Sequence, residues 1–185
     1  MSLSKEETRI FFSKSDSALI KSIFGRLIPG TLDDPGAIEA GAHVYIDRAL
    51  AGYYQSQGTT YRRGLSSIKA YSQSKFQKDF VELDNSQQDA LLTDMEKGKA
   101  TGFNSPGATE FFNILFQHVR EGTFCDPIYH GNQNLVGWKM IGFDGAQVAH
   151  FDSHMEVGAD QSKRTPILTL EDMEKFNFPT PKNGY

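Results

Sequence analysis

The sequence predicts an all-α fold: a single compact multi-helix domain with long loops and an irregular C-terminal arm. Two observations carry this prediction. Apolar residues recur at spacings of three and four in one segment after another, the pattern of a helix with one buried face. Period-two alternation bounded by hairpin turns does not recur, and no repeat of roughly 20–50 residues is visible. The chain has 185 residues. Single cores commonly serve roughly 100–200 residues, and at this size about 70% of the unfolded surface leaves water, so neither disulfide nor metal is needed for folding.

An N-terminal segment, 1–14, is polar apart from Ile10-Phe11-Phe12. Ser15 or Ser17 is expected to cap a first helix bearing Leu19, Ile20, Ile23, Phe24, Leu27 and Ile28, with Pro29-Gly30 ending it. Asp33-Asp34-Pro35-Gly36 is turn chemistry with acceptors poised for a second helix. That helix carries Ala42, Tyr45, Ile46, Ala49, Leu50 and Tyr53 on one stripe, and His43 is expected to pack or lie at the surface. A third helix runs through Tyr61, Leu65, Ile68 and Tyr71. Asp84 through Gln88 offers a capping box for a fourth with Leu91, Leu92 and Met95, stopped by Gly98. Ser105-Pro106 reads as cap and first-turn proline of a central helix with Phe111, Phe112, Ile114, Leu115, Phe116 and Val119, closed by Gly122. The helical domain spans 15–159. From 160 to 185 the pattern gives way to an arm with Pro166, Pro179 and Pro181 and one short amphipathic piece begun by Thr169.

Lys and Arg total 19 against 23 Asp and Glu, a net charge of −4 without a basic stripe, so nucleic acid is a poor partner. No apolar run is long enough to span a bilayer, and the first residues lack an apolar leader core, so the chain as given is expected to be soluble. Those residues are equally compatible with a cytoplasmic protein and with an exported one whose leader has been removed. The lone Cys125 excludes an internal disulfide framework and any multi-cysteine cluster, and there is no Cys-x-x-Cys-His haem attachment segment.

Chemistry-bearing patterns are few. No strand, glycine-rich turn and helix come together to hold a dinucleotide, and no Walker segment or nucleophile elbow occurs. The best metal-like arrangement is His150, Asp152, His154 and Glu156, because histidines four apart share a helix face; Phe151 stands where a zinc protease would place its glutamate. His118, among Phe111, Leu115 and Val119, reads as a satisfied, half-buried side chain. Asp126 beside Cys125 opposes a thiolate, which leaves a packed thiol or a bond to a partner chain.

Glu121-Gly122-Thr123-Phe124-Cys125-Asp126-Pro127-Ile128-Tyr129-His130-Gly131-Asn132, followed by Gly137-Trp138-Lys139-Met140-Ile141-Gly142-Phe143-Asp144-Gly145, resembles the signature of the gluconate 2-dehydrogenase subunit 3 family. Leu27-Ile28-Pro29, the stretch Asp33 to Gly41 and Ile46-Asp47 are similar to its other recurring stretch, and the likeness covers about residues 15–155. His130 replaces a usual second glycine, and Asp144 a usual proline. The resemblance implies a small subunit, not catalytic alone, that accompanies an FAD-containing dehydrogenase large subunit and often a multihaem cytochrome c. FAD and haem c would then sit on partner chains, contact with the membrane would come only through partners, and the setting would be periplasmic with the export leader absent from this chain. The family lends no catalytic, cofactor or metal residue to this sequence. In the signature, glycines and prolines at 122, 127, 131, 137, 142 and 145 are expected to set turns. Phe124, Cys125, Tyr129, Trp138 and Phe143 are the candidates for a partner interface, in a loop that could equally be an internal plug. Two competing readings are a stand-alone helical metal-binding protein or enzyme using His150, Asp152, His154 and Glu156, and a ligand-binding module with an apolar pocket.

Overall fold

The computed structural model describes residues 9–31, 33–146, 156–158 and 167–175. Its elements are α1 (Lys14–Leu27), α2 (Ala42–Ala51), α3 (Gly58–Phe76), α4 (Asn85–Glu96), α5 (Ala108–Phe124), α6 (Val136–Ile141) and α7 (Leu170–Lys175), joined by loops and short 3₁₀ turns. The described residues contain no strand; an isolated parallel bridge joins Gly145 to Leu168. The expected all-α architecture holds.

Local chemistry sets the helix ends, at three N-termini otherwise than expected. Ser13, not Ser15 or Ser17, caps α1: its backbone is extended (φ −63°, ψ 165°), and its Oγ accepts the Asp16 amide at 3.1 Å. Ser15 and Ser17 fall inside the helix, where a side chain no longer faces the free amides. α2 is not capped by Asp33 or Asp34, because a further turn through 37–40 intervenes and Gly41, at φ 71°, occupies the N-cap without a side-chain acceptor. α5 starts two residues later than Ser105-Pro106 suggests, with Gly107 at the N-cap and its amide donating to Glu110 Oε2 at 3.2 Å. The Asp84 box is as expected: Asp84 Oδ1 accepts the Gln87 amide at 2.9 Å while Gln87 Oε1 accepts the Asp84 amide at 3.2 Å.

Inward faces of α1 to α5 meet in one core around Ile20, Ile23, Phe24, Tyr61, Phe111 and Leu115, all essentially inaccessible to water. Phe12 joins that core, and the reason lies 35 residues away. The buried carboxylate of Asp47 accepts the amides of Ile10, Phe11 and Phe12 at 2.7, 3.1 and 2.8 Å, fastening this edge of the N-terminal segment to α2. A buried amide left without such an acceptor costs about 1–3 kcal/mol.

α2 packs most extensively on α5. Gly122 does not close α5, which continues to Phe124; it lies within the helix, where a Cβ would come within 2.8 Å of Ala42 Cα. Gly137 is likewise no turn former: a Cβ there would lie 1.9 Å from the Thr123 carbonyl oxygen. Both positions need glycine because backbone meets backbone. Gly142 and Gly145, by contrast, have φ of 66° and 83° and do set turns.

A candidate partner groove beside the second and fifth helices

Asn132 organises the segment after α5. Fully buried, it donates its own amide to the Gly122 carbonyl and Nδ2 to the Cys125 carbonyl, both at 2.9 Å, while Oδ1 accepts the Gly137 amide at 2.7 Å. The next amide, from Gln133, donates to the Ala40 carbonyl at 2.9 Å, so the two stretches that carry the family resemblance are bonded together. Trp138 then folds beneath the loop, 5% exposed, with Nε1 donating to the Phe124 carbonyl at 2.8 Å. Phe143 covers it edge-on, ring centroids 5.1 Å apart, and is itself 43% exposed.

Pinned in this way, residues 127–130 stand away from the domain. They form one wall of an open groove of about 1020 Å³, whose other walls are the C-terminal end of α2, the turn after it and the outer face of α5. Tyr45, Arg48, Tyr53, Tyr54, Arg120, Phe124, Cys125, Ile128, Tyr129 and His130 line it. Tyr53 is 90% exposed and Tyr129 57%.

At the base, Glu121 Oε2 accepts the hydroxyls of Tyr45 and Tyr54, each at 3.0 Å, and Oε1 accepts Gln117 Nε2 at 2.8 Å. Burial first, then the neighbouring Glu121 charge, raises the proton affinity of Tyr45 well above that of an ordinary phenol, and the same pair of causes raises Tyr54. Both hydroxyls therefore remain donors. Deeper still, Tyr61 Oη and His118 Nδ1 share a buried hydrogen bond of 2.7 Å, and the Tyr54 ring lies 4.6 Å from the imidazole. His118 is wholly buried, not half-buried, and burial lowers its pKa against a smaller upward pull from Glu121. Burial also pushes the Cys125 thiol up to about 11, with Asp126 adding a lesser push of the expected sign. The Glu121 carboxylate with its tyrosines, and the Tyr61–His118 pair beneath, thus form two internally bonded groups.

Of the sequence-derived candidates, Phe124, Cys125 and Tyr129 line the groove, whereas Trp138 and Phe143 pack together outside it. His43 is buried on α2, a packing position. His150, Asp152 and His154 lie outside the described residues, and Glu156 is exposed. Among the described residues no group of three or more His, Cys, Asp or Glu could hold a metal ion. Sequence reasoning missed Arg48, Tyr54, Arg120 and Glu121, and it put Tyr53 on a buried stripe. Gly52 was the available signal, since a glycine after the last periodic residue ends many helices and α2 stops at Ala51.

The arm returns to the same region. Asp126, the residue after Cys125, accepts the Ile128 amide through Oδ1 at 3.0 Å and the Leu170 amide through Oδ2 at 2.8 Å, while the Ala146 amide donates to the Leu168 carbonyl at 2.8 Å. Residues 168–170 are thereby docked on the chain's own domain.

No curated protein and no solved structure matches this chain. The family model described as Gluconate 2-dehydrogenase subunit 3 matches residues 14–145, which take in α1 to α6 and every groove residue named above. The chain belongs to the gluconate 2-dehydrogenase subunit 3 family.

Proposed function

We propose that this chain is a non-catalytic small subunit of a membrane-associated, flavin-dependent sugar or sugar-acid dehydrogenase. It supports assembly, stability or export of the FAD-containing large subunit, which it engages through the groove beside α2 and α5. Family membership makes it an accessory subunit of a gluconate dehydrogenase-like complex. The observation that carries the docking reading is the exposure of Tyr53 and Tyr129 on different segments lining an open groove, with Glu121 at its base bonded to Tyr45 and Tyr54. Tyrosine supplies large amphipathic contact area at low entropic cost, which is why it is concentrated at interfaces. FAD belongs to the large subunit and haem c to a multihaem cytochrome partner, in a periplasmic assembly. No helix among the described residues is long and apolar enough to cross a membrane, and membrane attachment is assigned to the partners.

The test is co-production with an FAD-containing large subunit of a gluconate dehydrogenase-like complex from the same organism, followed by affinity capture. Y53A combined with Y129A should leave the helical circular dichroism unchanged and reduce flavoprotein retention at least tenfold, the loss of roughly 1.4 kcal/mol or more typical of interface aromatics. Undiminished retention would remove the groove from the assembly.

A further inference from the structure

Arg48 sets the groove apart from an ordinary aromatic patch. The side chain is half-buried, and its Nε, shielded from water, has no hydrogen-bond partner among the described residues, although a shielded N–H left unbonded is costly. The one carboxylate at the groove base, that of Glu121, does not bond this Nε; it accepts instead from Tyr45, Tyr54 and Gln117. Arg120, held over the Phe116 ring at 5.5 Å, adds a second guanidinium to the lining. His130 brings no negative charge, and its proton affinity is lowered by burial and then by Arg48. A chain of net charge −4 thus presents two guanidinium groups against a single, engaged carboxylate in this one groove.

From this we infer that the groove receives a carboxylate-bearing segment of the flavoprotein partner, with the Arg48 guanidinium as the anchor for that carboxylate. The inference rests on the docking reading above and names its chemistry. A guanidinium fork matches a carboxylate in two parallel hydrogen bonds. At about 1020 Å³ the open groove sits at the top of the roughly 300–1,000 Å³ range of small-molecule sites, and its tyrosine walls suit a polypeptide better than a free sugar acid.

The experiment uses the full chain in complex with its co-produced flavoprotein. R48Q should weaken association about 30-fold or more, the fold-change expected when one member of a desolvated charge pair is removed, with an unchanged circular dichroism spectrum. R48K, treated with a carbodiimide in the assembled complex, should yield an amide joining position 48 to an Asp, Glu or C-terminal carboxylate of the partner, identified by peptide mass spectrometry. Equal affinity of R48Q and the natural chain, with no position-48 cross-link, overturns the inference and leaves groove docking standing if Y53A with Y129A still weakens the complex. If that double variant binds as well as the natural chain, the docking reading fails and the inference falls with it.

Discussion

α2 and α5 meet each other on one side and line the groove on another, and the two sides are built from opposite residue types. On the seam, Gly122 lies against Ala42 with no room for a methyl group, and the loop beyond is drawn down by Gly137 against Thr123 and by Asn132 bonding in three directions. On the groove side the same helices and their continuations carry Tyr45, Arg48, Tyr53, Tyr54 and Arg120, large groups with polar tips. The difference teaches that the signature segment is divided in its work. Gly131 to Trp138 fasten it to the domain, and Ile128 to His130, 42%, 57% and similarly open to water, face outward because their neighbours are fastened. The signature is thus part internal plug and part exposed wall, a few residues apart, and the exposed part is the one proposed to meet a partner.

The sharpest way to break this comparison is to exchange the fates of two aromatics. Trp138→Ala should cost about 3–5 kcal/mol of unfolding free energy, because it empties a buried site and strands the Phe124 carbonyl that accepts Nε1. Tyr53→Ala should stay within about 0.5 kcal/mol, its ring being 90% exposed. Urea unfolding of both variants measures the contrast, and comparable losses would erase it.

A smaller effect is expected from pH. Burial holds the pKa of His118 below its ordinary 6.5, so the unfolded chain binds a proton there more readily than the folded one. The associated stability is complete above about pH 6.5 and declines as pH falls below it. His118→Gln should flatten the fall in unfolding free energy between about pH 7.5 and 5.5, whereas the carboxylate contributions remain common to both proteins. An identical slope in the variant would mean that His118 is hydrated and ordinary.

What was legible in the sequence was local or periodic. The Asp84 box needs only residues three apart, and the core positions of α1 and α5 repeat with the helix itself. Ser13 was passed over because several serines crowd that stretch and only backbone geometry selects among them. Gly122 looked like a stop because glycine ends many helices, yet here a second helix 80 residues earlier in the chain dictates it. Asp47 gave no sign of its three amide partners, since they lie 35 to 37 residues away. The groove was invisible for the same reason: it combines 45–54 with 117–130, and which tyrosines stay exposed depends on how α2 and α5 pack. The signature stretch holds six of its lining residues, of which Phe124, Cys125 and Tyr129 are among the interface candidates the sequence offers.

The central claim is that the groove side, and not the rest of the helical surface, meets the flavoprotein. Hydrogen exchange of the full chain, alone and in the co-produced complex, tests it most directly. Exchange should slow on assembly at the end of α2 and the turn after it, residues 48–54, and in the segment 127–130, while α3 (Gly58–Phe76) exchanges alike in both states. Protection confined to α3, with 48–54 and 127–130 unchanged, would place the partner on another face and contradict the claim.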